Sequence, residues 1–235
     1  MLSGHGLTLF WNLPPAFASN LMTANTFLDT RSQTEHFFGL ESRRARFVLL
    51  QQSSMKVGVF IERDGVLNQA QLDRQHQVSP LTLEEFRVHK TAKALLQKLK
   101  AAGLVLIATT NQPGLSRGYL SRRVLERMHD LLRRELPLDD IMVCPHDETD
   151  DCPCRKPQPG LLIEAAFKWH LDLDRSFVIS DKWQDVGAAR AAGSTSLHIQ
   201  SPWPTSVHPD LVLPSFATAV GKLLQLQASS RPLFA

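Results

Sequence analysis

The sequence predicts an α/β domain on a doubly wound, Rossmann-like and mostly parallel sheet with helices on both faces. Three observations carry that expectation. From Met55 onward, apolar runs of strand length alternate with segments of helical period. The runs are nearly continuous, as strands buried on both faces require. Polar and charged residues follow each run at once, and in sheets of this kind ligands bind beyond the carboxyl ends of the strands.

Val57 to Ile61 is the first strand, closing on Glu62-Arg63-Asp64-Gly65. Gln69 to Pro80 reads as polar loop. Thr82-Leu83-Glu84-Glu85 has the spacing of a capping box and opens a short turn or helix near Phe86. Ala92, Leu95, Leu96 and Leu99 recur at helical spacing until Gly103 stops them. Leu104 to Ala108 is the second strand, and Val124, Leu125, Met128, Leu131 and Leu132 mark the next helix. Ile141 to Val143 is the third strand. Pro159, whose missing donor does no harm at a helix start, opens a helix through Leu161, Leu162, Ala165 and Ala166. Phe177 to Ile179 is the fourth strand, Val186 to Ala192 a helix closed by Gly193, and Thr195 to Ile199 the fifth strand. Leu211 to Leu213 and a helix around Phe216 to Leu224 complete a domain over 55–235.

Residues 1–54 follow a different pattern. Met1 to Ala18 is apolar in patches but carries Asn12, Pro14 and Pro15, with no Lys or Arg near its start, so it lacks the charged leader of a secretory signal. The segment reads as a weakly ordered extension, and Met55 is itself a candidate start of the patterned region.

Composition excludes several classes. With 26 Lys plus Arg against 23 Asp plus Glu in 235 residues, the net charge of +3 is too dilute for a dedicated nucleic-acid binder. The longest apolar runs fall far short of the roughly 20 residues that cross a bilayer. Three cysteines cannot build a disulfide framework, and a monomer of the cytoplasm is expected. All three lie between Cys144 and Cys154, where Cys144-x-His146 and Cys152-x-Cys154 form two i, i+2 pairs. Each pair can point to one side of an extended loop, which suits tetrahedral Zn²⁺ in a closed structural site. The remaining histidines, including His76, His89, His129 and His170, lack such spacing and read as surface or core filler.

The residues after the strands are Glu62-Arg63-Asp64-Gly65, Thr109-Thr110-Asn111-Gln112, the Cys/His cluster ending in Arg155-Lys156, and Ser180-Asp181-Lys182. Together with the surrounding Phe60 to Asn68, Arg117-Gly118-Tyr119, Cys144-Pro145-His146, Cys152 to Pro157, and Asp185, they resemble the haloacid dehalogenase superfamily. Within it the likeness is to the heptose bisphosphate and histidinol-phosphate phosphatases, and it runs from about Met55 over some three quarters of the chain.

The resemblance implies a Mg²⁺-dependent phosphomonoesterase acting on a small phosphorylated substrate, a heptose 1,7-bisphosphate foremost. Glu62 would attack phosphorus, and Asp64, on the same side of an extended chain, would serve as acid and base. Thr110 would hold a phosphoryl oxygen and Lys156 offset its charge, with Asn111, Gln112, Arg155 and Lys182 on the substrate; Thr-Asn-Gln-Pro-Gly is equally ordinary turn chemistry. Glu62, Asp64 and Asp181 would hold Mg²⁺, and Cys144, His146, Cys152 and Cys154 Zn²⁺. Asp185 either supports this shell or caps a helix near its positive end.

One residue departs from the family pattern, which has aspartate where Glu62 stands. The extra methylene moves the attacking oxygen by roughly an ångström, a shift that can cost on the order of 10²-fold in rate. Glutamate still suits Mg²⁺, which needs only an oxygen anion at about 2.1 Å. A phosphate-binding relative without turnover is therefore the alternative. A DNA 3′-phosphatase fits less well, for want of a segment to track a strand.

Overall fold

The computed structural model describes residues 55–73, 76–202 and 206–229. The extension expected over 1–54 lies outside the described residues. Beyond it the chain runs β1 (Gly58–Glu62), β2 (Gln71–Asp73), β3 (His76–Val78), α1 (Ala92–Ala101), β4 (Val105–Asn111), α2 (Arg122–Glu135), β5 (Asp140–Cys144), α3 (Gly160–Trp169), β6 (Phe177–Ser180), α4 (Trp183–Ala192), β7 (Thr195–Ile199), β8 (Leu211–Leu213) and α5 (Phe216–Ser229).

Six of the strands form one sheet in the order β5-β4-β1-β6-β7-β8, with every neighbouring pair parallel. From β1 the chain builds outward through β4 and β5, then returns past β1 and builds the other way through β6, β7 and β8. That reversal opens a crevice at the carboxyl end of β1, between the ends of its two neighbours.

Period-2 alternation along the buried strands supplies two cores. Val59 and Ile61 face one way and pack with Leu96 and Leu99 of α1, Leu125, Met128 and Leu132 of α2, and Val220 and Leu223 of α5. Phe60 faces the other way, onto Leu161, Leu162 and Ala165 of α3 and Ala188 and Ala189 of α4. Helices thus cover both faces, as the sequence pattern implies. Each fully buried Leu or Ile adds about 1.5–3 kcal/mol, so the strand ends rest on a stiff support. Gly193 ends α4 at φ 78°, a left-handed conformation that disfavours side chains with a Cβ.

One stretch differs from the sequence expectation, and another settles between two alternatives. The polar loop of 69–80 contains an antiparallel hairpin, β2 with β3, in which Gln71 pairs with Val78. Strands of three residues are too short for alternation to announce them. The Thr82 capping box does form, with Glu85 N–H donating to Thr82 Oγ1 and Thr82 N–H to Glu85 Oε2, both at 3.3 Å. It closes a turn and no helix follows, because the next backbone is taken by pairing: Gln69 N–H donates to Arg87 C=O at 2.8 Å and His89 N–H to Leu67 C=O at 2.9 Å. Among the described residues no helix is long and apolar enough to cross a membrane.

Candidate active site

β1 delivers Glu62 to the crevice nearly fully buried, and three lysine and carboxylate partners meet it there. Lys156 Nζ ion-pairs with Glu62 Oε2, and also with Asp185 Oδ1 at 2.6 Å. Lys182 Nζ holds the other oxygen, Glu62 Oε1, at 3.0 Å. Asp185 sits in the first turn of α4, where the positive end of the helix favours it, and accepts from Ser180 Oγ at 2.9 Å as well as from Lys156, so both of its sequence readings remain open.

Burial alone would push the Glu62 carboxyl up, but the ammonium groups of Lys156 and Lys182 outweigh it and leave it below the ordinary value. Asp185 has only a share in Lys156 and faces the Glu62 charge, so burial dominates and carries it up to about 7. Lys156 stays protonated despite burial because Asp185 and Glu62 raise it.

Lys156 is aimed by its own loop. Asn111 at the end of β4 grips the Lys156 backbone from both sides, Nδ2 donating to its C=O at 3.0 Å and Oδ1 accepting from its N–H at 3.1 Å. On the far side, a Cβ on Gly187 of α4 would come within 2.7 Å of Pro157 Cβ, so only glycine lets the loop seat this deeply.

Asp64 N–H donates to Glu62 Oε1 at 3.2 Å, but the Asp64 carboxylate is turned into a separate nest. Arg63 spans both its oxygens, with Nε to Oδ1 and Nη2 to Oδ2, each at 2.9 Å. Oδ2 also accepts from Ser79 Oγ at 2.7 Å and Gln112 Nε2 at 2.9 Å. Burial would raise this carboxyl, yet Arg63 and Lys182 hold it well below the usual carboxylate range. Thr110 is wholly buried, its hydroxyl 3.5 Å from Asp64 Oδ2 and accepting from Gln112 Nε2 at 2.8 Å.

The crevice opens into a cavity of about 740 Å³, within the range of small-ligand sites. Glu62, Lys156, Lys182 and Asp185 line it, as do Asn111, Gln112 and Arg155. Arg155 spends its guanidinium on Glu148 Oε1 at 2.7 Å and the His146 C=O at 3.2 Å. On the same rim Arg117 forks onto Asp147. Of the residues picked out from the strand ends, Glu62, Asn111, Gln112, Arg155, Lys156 and Lys182 meet at this cavity. Sequence reasoning missed Ser79 and His129, whose Nε2 lies 3.1 Å from Arg63 Nη1; neither stands in a recognisable spacing.

Two donor sets suit metals. Ile61 is paired with Ile179, so Glu62, the Asp64 backbone and Asp181 leave adjacent strands side by side, offering the hard oxygen donors that fit Mg²⁺. Cys144, His146, Cys152 and Cys154 bring one ligand atom each within 4.8 Å of one another, the only such cluster of metal-ligating side chains among the described residues. Their sulfurs lie 3.2 to 3.6 Å apart with all three thiols free. Sulfurs placed tetrahedrally at a Zn–S distance of about 2.3 Å would be separated by about 3.8 Å, so a small opening of the loop accommodates the ion.

Comparison with known proteins places this arrangement. A HAD-hydrolase-like family model matches residues 153–219. A D-glycero-beta-D-manno-heptose-1,7-bisphosphate 7-phosphatase of Pasteurella multocida is 34% identical over 149 residues, covering 59% of this chain and 78% of that protein. One of the same description from Rhodopseudomonas palustris is 38% identical over 146 residues, covering 57% and 78%. The crystal structure of a D,D-heptose 1,7-bisphosphate phosphatase from B. bronchiseptica, complexed with magnesium and phosphate, superposes with a TM-score of 0.62 at 27% identity, over 72% of this chain and 99% of that one.

Proposed function

The chain belongs to the haloacid dehalogenase-like phosphatases, hydrolases of phosphoric monoesters, and on that premise we propose that it acts on a small sugar phosphate, D-glycero-D-manno-heptose 1,7-bisphosphate foremost. The observation that carries the reading is a buried carboxylate, Glu62, facing the ammonium groups of Lys156 and Lys182 at the inner end of a ligand-sized cavity. A phosphoryl group entering there meets a nucleophile at phosphorus and two cations for its oxygens.

In the proposed sequence Glu62 attacks phosphorus, forming an acyl phosphate while the substrate's ester oxygen departs. Asp64 leaves the Arg63 nest in which it is held ionised, takes up a proton and gives it to that oxygen, then takes one from the water that cleaves the acyl phosphate and restores Glu62. Lys156 and Lys182 turn from Glu62 toward the phosphoryl oxygens, and Asn111 keeps Lys156 in place meanwhile. Arg155 and Gln112 line the path of the leaving group. Glu62, the Asp64 carbonyl and Asp181 would hold Mg²⁺, which when bound neutralises phosphoryl charge. Cys144, His146, Cys152 and Cys154 would hold Zn²⁺ and fix the loop that carries Arg155 and Lys156. A small monomeric enzyme of the cytoplasm is the setting that suits this reading.

A second reading has one observation in its favour. Both oxygens of Glu62 are engaged by lysines, and a carboxylate so engaged is a poor nucleophile toward phosphorus. The chain would then bind phosphate without turning it over.

Phosphate release from heptose 1,7-bisphosphate, histidinol phosphate and a panel of sugar phosphates, with Mg²⁺ present, separates the two. Turnover of the heptose ester by the wild type supports hydrolysis, with Glu62→Asp raising kcat by about 10-fold as attack geometry is corrected. Binding of inorganic phosphate without release from any ester supports the second reading.

A further inference from the structure

We propose that the mouth of the cavity is an apolar recognition wall, through which this site also takes phosphomonoesters whose alcohol part carries an aromatic or branched aliphatic group. The proposal rests on the reading of Glu62, Lys156 and Lys182 as the phosphoryl end of the same cavity.

The cavity has two unlike ends. Glu62, Lys156, Lys182 and Asp185 stand at the inner end. The mouth is lined by Leu72 and Val78 of the β2–β3 hairpin, Leu81 just after it, and Tyr119 between β4 and α2. Leu72 and Tyr119 are 69% and 70% exposed, and Val78 and Leu81 are exposed as well. Single exposed apolar side chains are ordinary on a protein surface, but their concentration in one place is not. Eight large apolar side chains are exposed among the described residues, and four of them line this one cavity although they come from three separate stretches of chain.

Local contacts hold these stretches together. Gln71 of β2 pairs with Val78 of β3, and Gln71 Nε2 donates to the Glu85 C=O at 2.9 Å, which ties the hairpin to the Thr82 turn. Leu81 N–H donates to Glu85 Oε2 at 2.8 Å. A Cβ on Gly114 would stand 3.3 Å from Leu81 Cδ2, so the small residue there lets Leu81 lie close against the loop after β4.

The charges at the mouth are already matched. Arg117 forks onto Asp147, and Arg155 donates to Glu148 Oε1 at 2.7 Å. Among the lining residues, Glu85 and Glu148 offset Arg117 and Arg155. A neutral apolar group can therefore enter without stripping an ion of its partner, and it covers side chains that otherwise stand in water. The inner end fixes the phosphoryl group, and the wall selects what is attached to it.

The test uses the full-length protein with Mg²⁺ and two phosphonates that cannot be hydrolysed, 3-phenylpropylphosphonate and 3-hydroxypropylphosphonate, titrated by calorimetry. Half-covering a phenyl ring removes roughly 60 Å² of apolar surface from water, which favours the phenyl compound by about 10-fold. Its binding should also show the more negative heat-capacity change, the mark of apolar burial. Leu72→Ser combined with Tyr119→Ser, both at exposed positions, should bring the preference below about 2-fold. Equal affinity for the two phosphonates in wild type, or a preference that survives in the double variant, would overturn the proposal. Inorganic phosphate titrated in parallel separates the wall from the reading beneath it. Phosphate bound with no phenyl preference leaves the phosphoryl site standing and removes the wall; no binding of phosphate or of either phosphonate refutes both. Where the wild type turns over the corresponding alkyl phosphates, kcat/KM on 3-phenylpropyl phosphate should exceed that on 3-hydroxypropyl phosphate by about 10-fold, through KM, and a ratio near one would count against the wall. Without turnover the hydrolytic reading has failed, and the phosphonates alone decide.

Discussion

Replacing Lys156 with methionine probes the most heavily charged part of the site. Methionine keeps the length and apolar stem but removes the cation that Glu62 and Asp185 share. Glu62 retains Lys182 at 3.0 Å, whereas Asp185 is left with only the Ser180 hydroxyl at 2.9 Å. Breaking a buried ion pair by deleting one partner costs about 3–5 kcal/mol, and Lys156, Glu62 and Asp185 are all nearly inaccessible, so solvent does little to soften it. For a domain of this size that corresponds to a fall in Tm of roughly 6–20 °C. The penalty should depend on pH with a definite sign. Asp185 already titrates at about 7 with Lys156 present, and losing Lys156 moves it further up. A carboxyl raised in the folded state keeps a proton that the unfolded chain has released, so stability is lost as pH rises from about 4 through 7 and beyond. Urea unfolding at pH 4.5 and 8 should therefore give a deficit for Lys156→Met that is largest at pH 8. A deficit under about 1 kcal/mol, or one equal at both pH values, would refute the description of this cluster as a buried, charge-balanced unit.

Three further outcomes follow from other parts of the structure. His129 is held neutral, its pKa lowered to about 3 first by burial and then by Arg63; because the unfolded histidine gains its proton near 6.5, wild type should lose stability relative to His129→Gln as pH falls from about 6.5 toward 3, with a slope approaching about 1.4 kcal/mol per pH unit by urea unfolding. Gly187→Ala places a Cβ 2.7 Å from Pro157 Cβ; the shift it forces in the Lys156 loop should cost about 1–3 kcal/mol by thermal melting and raise the Kd for inorganic phosphate. Elemental analysis should find one equivalent of zinc, lost together with several kcal/mol of stability in Cys144→Ser or Cys152→Ser, and Mg²⁺ should not restore it because it does not take thiolates.

Much of the fold is legible because both faces of the sheet are buried and the helices carry 3.6-residue stripes; β1, β5, β6, β7 and β8 lie within one residue of the apolar runs, whereas β4 continues three residues past its run, through the polar Thr109 to Asn111. The hairpin of β2 and β3 is not, since its strands are too short to show a period. Within the site, the strand-end rule picks out Glu62, Thr110, Asn111, Asp181 and Lys182 at once. What it cannot supply is the pairing among charges. Arg63 and His129 are 66 positions apart, and Ser79 reaches Asp64 from a loop that reads only as polar. Asn111 illustrates the same limit: its type and place suggest a substrate ligand, whereas both ends of its amide are spent on the Lys156 backbone. Such contacts are set by tertiary proximity, on which local spacing is silent.

The central claim is that Glu62 itself attacks phosphorus, and the most direct measurement is capture of the acyl phosphate. The full chain with Mg²⁺ and heptose 1,7-bisphosphate is quenched during turnover, the acyl phosphate is reduced with tritiated borohydride, and the labelled peptide is located by mass spectrometry. The expected result is tritium on Glu62 alongside steady phosphate release. Phosphate release with the label on another residue, or no label and no release from any ester, would contradict it.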